Sequence, residues 1–68
     1  MKSGAEEYYN LGVAYGKLGY WNEAIEAYKH VTHIKPDFAM AHYYLGVAYY
    51  GLERHTEAIE AYRHLILK

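Results

Sequence analysis

The sequence predicts an all-α fold of two stacked, antiparallel helix-turn-helix hairpins, a short right-handed α-solenoid. Three observations lead there. First, Leu11-Gly12-Val13-Ala14-Tyr15 returns as Leu45-Gly46-Val47-Ala48-Tyr49, and Glu23-Ala24-Ile25-Glu26-Ala27-Tyr28 as Glu57-Ala58-Ile59-Glu60-Ala61-Tyr62, both 34 positions on. A fixed period of that length marks repeating units, each burying its apolar face on the next. Second, apolar residues recur at helical spacing. Third, the breaks between periodic segments are only two or three residues long, which forces successive helices antiparallel.

Each element has its own signals. Ser3, with Glu6 three residues on, has the spacing of a capping box at the start of a first helix. That helix runs from Ala5 to Leu18, with Tyr8, Leu11, Tyr15 and Leu18 expected inward, and Gly19 ends it. A second helix is expected from about Trp21 to Ile34, turning Ala24, Ile25, Tyr28, Val31 and Ile34 inward, and Pro36 stops it. Asp37 is the expected cap of a third helix, from about Phe38 to Leu52, with Leu45, Tyr49 and Leu52 inward. No strong terminator follows, so Glu53-Arg54 must turn by context. The fourth helix is expected from about His55 to Leu67. Gly12 and Gly46 fall mid-helix, where glycine costs about 1 kcal/mol against alanine. The expected reason is close approach of each to a small residue of the following helix, Ala24 and Ala58.

Composition narrows the function. The 68 residues fit one domain, 1–68, divided into a first unit at about 5–38 and a second at about 39–68. There is no cysteine, hence no disulfide and no thiolate zinc site. The net charge is −1, acids and bases are intermixed, and no basic patch offers itself to nucleic acid or an anionic membrane. Neither a signal peptide nor an apolar stretch of spanning length is read in the sequence, so the cytoplasm is the default location. Ten tyrosines stand out. Tyrosine buries a large ring while keeping its hydroxyl near water or a partner, which suits both a thin protein and a binding face.

These residues resemble the tetratricopeptide repeat family. Its pattern is carried by Tyr8, Leu11, Gly12, Tyr15, Ala24, Tyr28 and Pro36, and again by Leu45, Gly46, Tyr49, Ala58 and Tyr62. His42 stands where the family has an aromatic, and Val31 and Leu65 where it has a small alanine. Both a two-repeat protein and a fragment of a longer array fit. The resemblance implies that the first helix of each unit lines a concave groove that binds a partner peptide or helix. Carried over, that face is Glu6, Tyr9, Asn10, Val13, Gly16 and Lys17, then Met40, Tyr43, Tyr44, Val47, Tyr50 and Gly51. The spacing Tyr9–Val13–Lys17 and Tyr43–Val47–Tyr50 independently places them on one stripe. Tyr44 and Asn10 are expected nearer its edge. A subgroup of the family clamps a peptide carboxylate with Lys, Asn and Arg. The corresponding places here hold Tyr9, Val13, Tyr43 and Val47, so the groove is expected to take apolar or aromatic side chains.

Two further readings come from the residues. The last helix ends Leu65-Ile66-Leu67, apolar on more than one side, so self-association into a homo-oligomer through that end is expected, as a closed dimer or by exchange of hairpins. His30 and His33 stand three apart, as metal ligands can. His30 and His64 also follow Glu26 and Glu60 by four, which reads as a weakly paired solvated face. Catalysis is not expected. There is no glycine-rich phosphate loop, the only serine is Ser3, the acids recur as periodic surface, and no cofactor-binding pattern is present.

Overall fold

The computed structural model describes residues 4–66. Four helices follow one another: α1 (Ala5–Lys17), α2 (Trp21–Ile34), α3 (Ala39–Gly51) and α4 (His55–Ile66). Each packs on its neighbours in the chain, and α1 touches α3 only sparsely. The result is a slab of 36 × 31 × 13 Å, about one helix thick in its shortest direction. Among the described residues there is no strand.

The core lies along the middle of the slab, where Ala24, Ile25 and Tyr28 of α2 meet Leu45, Ala48 and Tyr49 of α3, with Ala58 and Ala61 of α4 behind. A smaller cluster of Ala5, Val31 and Ala41 sits at the other end of the α2–α3 seam. Alanines dominate because two helices of one hairpin can approach closely only where side chains are short.

The expected inward stripe of α1 is corrected. Tyr8, Leu11 and Leu18 are exposed, although their counterparts His42 and Leu45 in α3 are buried. The hairpins are alike; α3 has α2 at its flank, and among the described residues no helix takes that place beside α1. Ile34 likewise lies exposed at the end of α2.

The glycines are explained differently than the sequence suggested. A Cβ at Gly12 would lie 2.6 Å from the Tyr28 ring, and one at Gly46 2.5 Å from the Tyr62 ring. The nearest atoms are those of an aromatic ring, Tyr28 or Tyr62, where the sequence pointed to Ala24 or Ala58. Backbone of one helix lies close against a ring of the next.

Helix ends also differ in detail. The expected capping box rests on Ser3, outside the described residues. Gly4 is the residue before α1, at φ 86, a left-handed conformation that suits glycine. Asp37 does not cap α3. Phe38 takes that position with extended backbone and no side-chain cap, and its ring packs on Tyr9 at 5.2 Å. Ring burial is worth about 1.5–3 kcal/mol against about 1 for a cap, so the phenylalanine wins the register. The α3–α4 turn copies the α1–α2 turn: Glu53 adopts φ 59 where Gly19 has φ 78. The Arg54 amide donates to the Tyr49 carbonyl at 2.9 Å as the Tyr20 amide does to that of Tyr15.

His30 and His64 are exposed, as a solvated face requires, and each also makes a ring contact. His30 stacks on Tyr8 and His64 on His42, each with ring centres 4.5 Å apart, an equivalent contact in each hairpin. Arg54 lies 2.8 Å from Glu57 and Arg63 3.5 Å from Glu60. His42 is buried, and its Nε2–H donates to the Pro36 carbonyl at 2.7 Å, tying the inter-unit loop to α3. That hydrogen bond is what a histidine supplies at a place where a plain aromatic ring could only pack.

Candidate interaction surface

Because α1 and α3 scarcely touch, a cleft opens between them with α2 as its floor. It holds about 200 Å³ and is lined by Val13, Gly16 and Lys17 from α1, Trp21 and Tyr28 from α2, and Tyr44 and Val47 from α3. The helical period produces the lining. Val13, Gly16 and Lys17 share one stripe of α1, and Tyr44 and Val47 one stripe of α3. Lys17 is its one charged residue, and no carboxylate, imidazole or serine lines it. Such a site can bury an apolar side chain and attract a negative group at its mouth; it offers no nucleophile–base pair.

An aromatic chain runs through the lining residues Tyr28 and Tyr44. Phe38 packs on Tyr9 at 5.2 Å, Tyr9 on Tyr44 at 6.0 Å, and Tyr44 stacks on Tyr28 at 6.0 Å with planes 15° apart. Tyr43 meets Tyr44 edge-on at 5.2 Å and reaches Tyr62 at 6.1 Å. Burial, then its neighbours Tyr9 and Tyr44, pushes the Tyr28 phenol up to about 12. Burial followed by Tyr44 raises Tyr9, and burial followed by Tyr43 and Tyr50 raises Tyr62. All three are held as neutral phenols, which keeps the surface apolar.

The expected groove residues divide. Val13, Gly16, Lys17, Tyr44 and Val47 come together in the cleft. Tyr9 does not line the cleft, but its ring packs on two residues that do, Tyr28 and Tyr44. Tyr44 is corrected from edge to floor: it stacks on Tyr28 in the middle of the slab. Glu6, Asn10 and Met40 are exposed beyond the cleft. Tyr43 is exposed toward α4, and Tyr50 turns away to meet His55 edge-on at 5.2 Å. For self-association, Leu65 is half-buried, Ile66 is exposed, and Leu67 lies outside the described residues.

Two lining residues stand outside the expected groove set: Tyr28, which is expected in the core, and Trp21. Its indole spans the end of the cleft. A Cβ on Gly16 would sit 3.7 Å from it, and one on Gly51 only 2.7 Å. The signal was present in the repeat itself: Gly51 replaces Lys17 one period on, and His55 replaces Trp21. At Gly51 the missing side chain leaves room for the Trp21 ring to lie against backbone. Among the described residues no group of three or more His, Cys, Asp or Glu is placed to hold a metal ion, and His30 is engaged with Tyr8.

Paired helices repeated at a fixed period, a shallow cleft lined by first helices, and an apolar floor define a helical-repeat interaction protein. The particular family follows from comparison: residues 9–66 match the tetratricopeptide repeat model, and the chain belongs to the tetratricopeptide repeat family. Repeats of this family mediate protein–protein interactions. No curated protein matches the chain. Among the described residues no helix is long and apolar enough to cross a membrane.

Proposed function

We propose that the chain is a non-catalytic module that captures a short partner segment in the α1–α3 cleft, by burying one bulky apolar side chain against Val13, Tyr44 and Val47. The observation that carries this reading is the cleft itself, about 200 Å³ with an apolar wall and floor and a single cation, Lys17, at its mouth. A volume of that order takes one aromatic or branched aliphatic side chain, and the lysine favours an acidic residue or a chain carboxylate beside it. Binding in such a site is weak per contact and specific through shape.

Trp21 is the only tryptophan in the chain, so its emission reports on the cleft alone. Peptides selected from a random display library should share a bulky apolar residue next to an acid, shift Trp21 emission on binding, and lose about tenfold or more in affinity against Val47→Glu. Selected peptides that bind Val47→Glu as well as the wild type would exclude the cleft.

The exposed flanks support a second reading, self-assembly as a structural unit. The open sides of α1 and α4 expose Tyr8, Leu11, Leu18, Ile59 and Ile66, and contiguous apolar surface marks association.

A further inference from the structure

We infer that the self-assembly reading, on which this inference rests, takes a head-to-tail form: α4 of one copy packs on α1 of the next, in the register by which α2 packs on α3 within the chain. The duplicated sequence supplies the argument, because each open face has a covered counterpart one period away. Leu11 on α1 is 44% exposed, whereas Leu45 on α3 is 8% exposed. Ile59 on α4 is 58% exposed, whereas Ile25 on α2 is 3% exposed. Ala14 and Leu18 are exposed where Ala48 and Leu52 are covered or half-covered. What covers Leu45 is α2, and what covers Ile25 is α3.

The same side chains stand ready on the outer faces. Leu11, Ala14, Tyr15 and Leu18 repeat Leu45, Ala48, Tyr49 and Leu52 one for one, and Ile59 and Tyr62 repeat Ile25 and Tyr28. The inner α2–α3 seam is therefore a template for an outer α4–α1 seam, and the occupant that fits is a second copy. This geometry is heterologous. Each copy uses two different faces, so the contact does not close at two and grows into linear stacks.

The outer seam is a weakened version of the inner one. Glu7 stands where Ala41 is fully buried against Val31, and Asn10 where Tyr44 stacks on Tyr28. Bringing a carboxylate to the place of a buried alanine opposes stacking, so the association is concentration-dependent and adjustable at those positions.

The test uses the full chain in sedimentation velocity over a concentration series. The wild type should form a ladder of species that lengthens with concentration. Leu11→Glu and Ile59→Glu, both at exposed positions, should each be folded by circular dichroism and monomeric. Mixed in equal amounts they should give a complex of one copy each that grows no further, because each variant retains the face the other lacks. Should either variant unfold, Leu18→Glu and Ile66→Glu make the equivalent pair. Glu7→Ala should tighten stacking by about tenfold. A closed dimer that persists in Leu11→Glu would overturn the head-to-tail form while leaving self-assembly standing. A wild type monomeric at every concentration would overturn both.

Discussion

Replacing Gly12 and Gly46 by alanine makes the same change in the same local sequence, yet the two variants should differ in stability. An added methyl would lie 2.6 Å from the Tyr28 ring in the first case and 2.5 Å from the Tyr62 ring in the second. Carbon atoms rest about 3.5–4.0 Å apart, so each ring must retreat by about 1 Å. Tyr28 is buried, with Tyr9 and Tyr44 against it, and has nowhere to go. Tyr62 is only half-buried, on the open side of α4, and can swing outward. Overpacking costs about 1–3 kcal/mol, and alanine in place of a helical glycine returns about 0.5–1. The clamped ring places Gly12→Ala at a net loss of about 1–2 kcal/mol, while the free ring leaves Gly46→Ala near zero. For a domain of this size a loss of 1 kcal/mol lowers Tm by about 4–8 °C. Thermal melts followed by circular dichroism, at dilution where stacking is absent, read the difference directly. Equal shifts in the two variants, or a Gly12→Ala that melts at or above the wild type, would refute the argument that ring confinement decides the outcome.

Three further outcomes follow from the same structure. Glu53→Gly should stabilise by about 0.5–1 kcal/mol, since a left-handed glutamate is replaced by the residue Gly19 already uses there; a lower Tm would show that Glu53 makes a contact worth more than its backbone strain. Stability should hold up to about pH 10 and fall toward pH 12. The unfolded chain releases the Tyr28 proton near the ordinary value of 10, the folded one only at about 12, and so rising pH favours unfolding. Tyr28→Phe should flatten that decline, and tyrosinate absorbance recorded beside circular dichroism checks it; a decline unchanged in Tyr28→Phe would assign it to other groups. Gly51→Ala should displace the Trp21 indole, changing its emission and weakening any peptide held in the cleft while helix content stays constant; an unaltered spectrum would mean the indole does not rest on that glycine.

Helix order, hairpin pairing and the core of α2 were legible in the sequence because a 34-residue period and helical spacing are local statements, true of each unit whatever surrounds it. Burial was not. Tyr8, Leu11 and Leu18 have the same spacing as residues that are buried in α3, and no pattern along the chain distinguishes a face with a neighbour from one without. The cap of α3 was missed for a related reason. Asp37 is the better capping residue by itself, but the Phe38 ring gains more from Tyr9 than the helix end gains from a carboxylate, and Tyr9 lies far away in sequence. The groove stripe was legible through Val13, Lys17 and Val47. Its closed end was not, since Trp21 sits on the second helix of its hairpin and reaches the cleft only because Gly16 and Gly51 leave room.

The two copies nevertheless hold more information than either alone, at the positions where they disagree. Gly4 becomes Phe38, Glu7 becomes Ala41, Asn10 becomes Tyr44, Lys17 becomes Gly51, and Trp21 becomes His55. In the first four pairs the second-copy residue meets a residue of the first: Phe38 on Tyr9, Ala41 in the cluster with Val31, Tyr44 on Tyr28, Gly51 beneath Trp21. Trp21 is the first-copy half of the last contact. The aliphatic part of the inter-hairpin seam is repeated, as are most contacts inside a hairpin, although Tyr8 becomes His42 and Gly19 becomes Glu53; the five positions above are where the inner seam departs from its outer counterpart. An outer seam made by a second copy would thus reuse the shared leucines, alanines and isoleucines but lack this aromatic set, having Asn10 for Tyr44 and His55 for Trp21. Any groove formed there would be more polar than the one within the chain, and a ligand that recognises the aromatic floor would occupy one site per copy however long the stack grows.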